Sequence, residues 1–132
     1  MSTAMTFFLI DDDEDDRELF DIALDGLEQR PLYYSAPNGI KALNMLEAKE
    51  VIPDYIFLDL NMPQMSGRDC LIALKNNTEL SKIPVVIFST SSDGRDISET
   101  RELGAIHFIT KPPKTSELTR ILSNFILKQK EL

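Results

Sequence analysis

The sequence predicts an α/β fold in which a doubly wound, five-stranded parallel sheet carries helices on both faces. Three observations lead there. Short apolar runs rich in aromatic and β-branched residues recur five times and alternate with stretches of helical periodicity. Strands alternating with helices imply right-handed crossovers and hence a parallel sheet. Four of the five runs end in a charged or hydroxyl group, at Asp11-Asp12, Asp59, Ser89 and Lys111. In a parallel sheet those ends lie along one edge.

Thr6 to Ile10 (TFFLI) is the first strand and ends directly in Asp11 and Asp12. Asp13 to Asp16 then supply an N-cap and first-turn acids, which the helix dipole favours. The helix they open carries Leu19, Phe20, Ala23, Leu24 and Leu27 at the spacing of one face. Part of the acidic run is thereby explained, but Asp11 and Asp12 are not. Leu32 to Ala36 (LYYSA) is a shorter strand at an edge, closed by Pro37-Asn38-Gly39. Ile40 to Ala48 forms the second helix, with Ile40, Leu43 and Leu46 inward, and Pro53 breaks it.

Tyr55 to Leu58 is the third strand. It ends abruptly in Asp59, and Met62-Pro63 forbids its continuation. Ser66 and Gly67 open a third helix with Leu71 and Leu74 inward, and Pro84 to Phe88 (PVVIF) is a fourth strand running into Ser89. The fourth helix, from about Asp93 to Leu103, is poor in apolar residues. Only Ile97 and Leu103 are candidates for burial, and Gly94 weakens its start. Ile106 to Thr110 (IHFIT) is the fifth strand, followed by Lys111-Pro112-Pro113. From Ser116 a last helix presents Leu118, Ile121, Leu122, Phe125 and Ile126 on one face.

A chain of 132 residues supports one domain with one core, here taken as 1–132. A net charge of −8 argues against direct nucleic-acid binding, because no basic patch exists to displace counterions, and it disfavours anionic membranes. No apolar run approaches the roughly 20 residues of a membrane span, and the opening MSTAM is not a signal peptide. The single cysteine, Cys70, fits a reducing, cytoplasmic setting and reads as a buried small hydrophobe.

In a sheet of order 2-1-3-4-5 the switch point between the first and third strands is where ligands bind. That crevice would gather Asp11, Asp12 and Asp59. Asp59 alone could be an acid turning into water at a strand end; three carboxylates together repel one another, and their pKa values must rise unless a cation intervenes. All-oxygen, anionic ligation suits Mg²⁺ best, with Mn²⁺ as the alternative. His107 lies in a strand and is read as surface or helix-facing, not as a ligand. A metal-bound carboxylate can attack phosphorus to give an acyl phosphate, and Lys111 and Ser89 are placed to contact the phosphoryl group.

The set Asp11-Asp12, Asp59, Ser89, Lys111-Pro112 resembles the receiver domain of two-component response regulators, a flavodoxin-like fold, over nearly the whole chain. The resemblance implies that Asp59 is the phosphoacceptor, taking its phosphoryl group from a sensor histidine kinase or phosphotransfer protein. It implies Mg²⁺ held by Asp11, Asp12, Asp59 and the backbone carbonyl of Asn61. It makes Ser89 the switch hydroxyl, Phe108 the rotating aromatic, Lys111 the phosphoryl-binding cation and Pro112 the site of a cis bond. Phosphorylation would draw Ser89 toward the phosphoryl group, let Phe108 fill the vacated space and change the face formed by the fourth helix, fifth strand and fifth helix. A downstream protein target and a homodimer through that face are the implied partners.

Two positions depart from the common pattern: Pro113 replaces an aromatic, and Phe108 lacks a tyrosine hydroxyl. With no output domain after the last helix, the chain resembles stand-alone bacterial regulators. The stretch from Asp59 to Asp93 is similar to those paired with bacteriophytochrome kinases. Such a protein is a signalling protein, not an enzyme, with self-phosphorylation and autodephosphorylation expected. The rivals are a pseudo-receiver that binds constitutively and a haloacid-dehalogenase-type phosphatase using Asp11 in an Asp-x-Asp motif. An EF-hand over Asp11, Asp13 and Asp15 is rejected, since Asp16 and Ile22 stand where glycine and glutamate are needed.

Overall fold

Five strands, β1 (Thr6–Ile10), β2 (Leu32–Ala36), β3 (Tyr55–Leu58), β4 (Val85–Ser89) and β5 (His107–Thr110), pair in parallel in the order β2-β1-β3-β4-β5. This is the computed structural model of the chain, and it describes residues 4–130; the reading of the first residues as carrying no leader lies partly outside them. Among the described residues no helix is long and apolar enough to cross a membrane.

The three inner strands, β1, β3 and β4, are apolar at successive positions because both sheet faces are covered there, whereas the edge strands β2 and β5 carry exposed residues. Phe7 and Leu9 face one side, with α1 (Glu14–Leu24) and α5 (Thr115–Lys130); Phe8 and Ile10 face the other, with α2 (Gly39–Glu47) and α3 (Gly67–Asn76). The first side is aromatic: the Phe20 ring lies 5.2 Å from Phe57, 5.4 Å from Phe88 and 5.6 Å from Tyr33. The second is aliphatic, built on Ile56, Leu58, Leu71, Leu74 and Ile87. Cys70 is buried within it, and burial pushes its thiol up to about 12, so it is inert packing.

Helix starts follow the predicted capping chemistry. Asp13, Asn38, Ser66 and Asp93 each accept a backbone N–H of the helix that follows, opening α1, α2, α3 and α4 (Gly94–Glu102). α2 ends at Glu47, well before Pro53, and Lys49 turns the chain with a φ of 58°.

Two inward assignments, Leu19 and Ile40, are corrected, and α4 packs differently from its reading. Leu19 is 44% exposed: the buried stripe of α1 is Phe20, Ala23 and Leu24, continued by Leu27, and Leu19 lies just off it. Ile40 is 48% exposed because Gly39, the residue before it, is the one that packs inward against Met65 and Cys70. In α4 neither Ile97 nor Leu103 is fully buried; the buried residue is Thr100, whose Oγ1 donates to the carbonyls of Asp96 and Ile97. The Lys111–Pro112 bond is also not cis, since no peptide bond among the described residues is. A trans X-Pro bond is favoured by about 0.5–1 kcal/mol. In that form Lys111 already completes its contacts, its N–H donating to Ser89 O at 2.7 Å.

Candidate functional site

The site is assembled by the ladder continuing past the strand ends. Asp11 N–H donates to Ala36 O of β2 at 3.1 Å, and Asp59 N–H to Ile10 O of β1 at 3.0 Å. These bonds, with the Lys111–Ser89 bond, fix three functional backbones before any side chain is considered. The loop from β1 into α1 is tied by Asp13 N–H to Asp11 Oδ1 at 3.0 Å and by the Arg17 guanidinium to the Asp11 carbonyl at 2.8 Å. After β3, Gly67 N–H donates to Leu60 O at 2.9 Å, seating the start of α3 against the peptide of Asp59.

Asp11, Asp12 and Asp59 each offer an oxygen within 4.8 Å of the others. Asp11 is fully buried, Asp59 is 5% exposed and Asp12 is open to solvent. Asp11 Oδ2 faces the Lys111 ammonium at 2.9 Å but has no well-aligned hydrogen-bond donor. A buried carboxylate oxygen without a donor, beside two more carboxylates, is an oxygen-only set that fits a hard divalent cation.

Burial pushes the Asp59 carboxyl up to about 6; the Lys111 ammonium, 3.6 Å away, opposes the rise and the Asp11 charge adds to it. Burial likewise raises Asp11, against the pull of Lys111 and the Asp13 N–H. Burial alone would lower Lys111, but Asp16, Asp11 and Asp59 outweigh it and hold the ammonium above the ordinary lysine range. The site is therefore an anionic crevice short of positive charge.

Asp59 in the native state binds its proton more tightly than the unfolded chain does, whose carboxyl titrates near 3.8. Its ionisation thus destabilises the fold above about pH 6, and the penalty is gone below about pH 3.8. Without divalent cations, Asp59→Asn should be more stable than wild type by about 2 kcal/mol at pH 8. Urea unfolding at pH 8 and pH 4.5 measures it; an advantage that does not shrink at the lower pH would mean that it does not come from the Asp59 charge.

Ser89, at the end of β4, is fully buried and its Oγ accepts the Ser91 N–H at 3.2 Å. Ser91 Oγ donates to Asp96 Oδ2 at 2.6 Å, and Asp96 pairs with Arg68 of α3, which also reaches Glu99 at 3.1 Å. Phe108 is half-buried against the aliphatic core and lines an open cleft of about 180 Å³ with Ile97, Thr100 and Arg101. His107 is exposed and stacks on the Phe125 ring at 5.5 Å. Asn61 is exposed, and its backbone N–H lowers the Asp59 carboxyl.

The predicted residues Asp11, Asp12, Asp59 and Lys111 therefore meet in one crevice. Asp16 was missed, yet its Oδ2 lies 2.8 Å from the Lys111 ammonium. Its position in the first turn of a helix already explained an acid there, and nothing local signals a partner 95 residues away. Asp11 makes a poor nucleophile for a phosphatase, because Oδ1 accepts an N–H and Oδ2 is ion-paired.

A family profile described as the response regulator receiver domain matches residues 7–123. The probable transcriptional regulator ycf29 of Pyropia yezoensis is 35% identical over 95 residues, covering 72% of this chain and 42% of its own length, so the chain spans under half of that relative. Among solved structures, the phosphorylated cyanobacterial phytochrome response regulator RcpA superposes with a TM-score of 0.83 at 31% identity, covering 93% of this chain and 91% of that one. The Mn(2+)-bound form of response regulator Rcp1, a protein of Synechocystis, gives 0.79 at 27% identity and coverage of 92% and 91%. With the predicted strand order observed and the carboxylates gathered at its switch point, the chain belongs to the response regulator receiver domain family.

Proposed function

We propose that Asp59 accepts a phosphoryl group from the phosphohistidine of a sensor histidine kinase or phosphotransfer protein, and that the chain signals by phosphorylation-dependent protein contact. The observation that carries this reading is Asp59 itself: a carboxylate 5% exposed at the sheet's switch point, with Lys111 3.6 Å away and two more carboxylates beside it. Asp11, Asp12, Asp59 and the Asn61 carbonyl would hold Mg²⁺ or Mn²⁺, and Rcp1 having a Mn(2+)-bound form supports that donor set. Such an ion, when bound, supplies charge neutralisation at the carboxylates and the phosphoryl oxygens.

An Asp59 carboxylate oxygen bonds phosphorus as the bond from phosphorus to the donor's imidazole nitrogen breaks. The electron pair leaves with the imidazole, which takes up a proton. Lys111 and the Ser89 hydroxyl donate to the phosphoryl oxygens, where a charge-assisted bond is worth about twice a neutral one. In turning there, Ser89 would give up the Ser91 N–H it now accepts. Phe108, beside the α4 cleft, would follow it, so the α4–β5–α5 face becomes the surface read by a downstream protein or a second copy of the chain.

Intact-protein mass after incubation with Mg²⁺ and acetyl phosphate tests the reading beside Asp59→Asn. The expected result is one phosphoryl group gained by the wild type and none by the variant. No gain in a folded, Mg²⁺-binding protein would leave a constitutive binding module instead. The same phosphorylated sample tests the coupling: resonances of Phe108 and α4 should shift, and unmoved ones remove Phe108 from the switch.

A further inference from the structure

The family's usual parts account for Asp11, Asp12, Asp59, Ser89 and Lys111, but not for Asp16. Of the three carboxylates around the Lys111 ammonium, Asp16 is the nearest at 2.8 Å, with Asp11 at 2.9 Å and Asp59 at 3.6 Å. An ammonium has three N–H donors. Asp16 and Asp11 stand at full contact distance, and Asp59 is left just beyond hydrogen-bond range. Asp11 and Asp59 lie on adjacent strand ends, whereas Asp16 pulls from another element, the first turn of α1. Among the described residues the ammonium also lies over the Phe88 ring, 5.3 Å from its centroid.

We propose that Asp16 is a positioning residue that holds the Lys111 ammonium off the Asp59 carboxylate until phosphorus arrives. The proposal rests on the phosphoacceptor reading and deepens it. Without Asp16 the buried pair would close its 3.6 Å gap, engaging the nucleophile's lone pair in a ground-state contact that has to break before attack. Contacts stronger in the ground state than in the transition state slow a reaction. With Asp16 in place the nucleophile is not closed upon by the ammonium, which keeps N–H capacity for a phosphoryl oxygen that enters. In the acetyl phosphate reaction the Asp59 oxygen bonds phosphorus while the bond from phosphorus to the acetyl oxygen breaks, and acetate departs with the electron pair. No proton transfer is required, so Lys111 acts by position and charge alone.

The test compares the full chain with Asp16→Asn and Asp16→Glu by time-resolved intact mass in Mg²⁺ and acetyl phosphate, with a ¹H–¹⁵N correlation of the Lys111 ammonium alongside. D16N should fold, show a displaced Lys111 ammonium resonance and accept the phosphoryl group about tenfold more slowly, the equivalent of about 1.4 kcal/mol of barrier. D16E should recover most of the rate. Wild-type speed in D16N, or an unmoved Lys111 resonance, overturns the proposal while a phosphorylated wild type keeps the phosphoacceptor reading intact. A D16N that does not fold, with a D16E that recovers nothing, also overturns it, since Asp16 is then a structural prop. A wild type that takes up no phosphoryl group brings down the phosphoacceptor reading and this proposal together.

Discussion

Replacing Gly67 with alanine should destabilise the protein by about 3 kcal/mol and abolish phosphoryl acceptance at Asp59. A Cβ at Gly67 would stand 2.1 Å from the Asp59 carbonyl oxygen and 2.5 Å from the Leu60 Cα. Both obstacles are backbone, so no rotamer change can relieve them, and the first belongs to Asp59, the proposed phosphoacceptor. Either α3 must back away, losing the Gly67–Leu60 hydrogen bond, or the Asp59 peptide must move with its side chain. Gly94 serves as the control: its Cβ would meet nothing within 4 Å, and at the first position of α4 alanine should stabilise by up to about 1 kcal/mol. Urea midpoints and intact mass measure both variants. Equal stabilities for Gly67→Ala and wild type would show that the loop after β3 yields more easily than its contacts indicate.

Lys111→Met should cost about 3–5 kcal/mol at pH 8 without divalent cations, since it leaves Asp11 and Asp59 buried and without a counter-charge. The sign with pH follows from the lost cation. Lys111 holds the Asp59 carboxyl down against burial, so its removal raises that carboxyl above its present value of about 6. The deficit is full above the new value and shrinks as pH falls through it. On the proposed donor set Mg²⁺ would neutralise the same carboxylates, so it should bind the variant more tightly and restore more stability to it than to the wild type. Phosphoryl acceptance should still fail, because the ion does not replace the N–H donor. Urea unfolding with and without Mg²⁺ at pH 6 and pH 8 reads all of this. A variant that gains no more from Mg²⁺ than the wild type would mean that lysine and ion do not share a site.

What could be read from the sequence divides by range. β1 and β3 begin and end where their residue types place them, because a strand buried on both faces shows as a nearly unbroken apolar run and its end as a polar residue. Asp11, Asp12, Asp59, Ser89 and Lys111 were legible because each closes such a run, and parallel topology turns five ends into one edge. Leu19 and Ile40 were misassigned because periodicity gives a stripe's direction but not its width. Only the packing of Phe20 and of Gly39 decides which flank meets the sheet. Asp16 was hidden by sufficiency: its place in the first turn of α1 explained an acid there, and the partner that gives it a second role lies across the molecule. The cis expectation at Pro112 came from the resemblance and not from a local pattern, and the bond is trans.

α4 is fastened to the molecule unlike its neighbours. One buried threonine and a polar chain running from Ser89 through Ser91 and Asp96 to Arg68 hold it, where α3 is held by Cys70, Leu71 and Leu74. The difference decides what each helix leaves behind when it shifts. Moving α3 would open a void, and a void has no substitute for the atoms it lost, at about 2–5 kcal/mol per large side chain. Moving α4 exposes groups that water can satisfy, at a net cost of about 1 kcal/mol per hydrogen bond exchanged. The helix is attached as a label is attached, not as a wall is. Solvent can take over its bonds one by one, so the proposed movement of Ser89 would meet little resistance from the core.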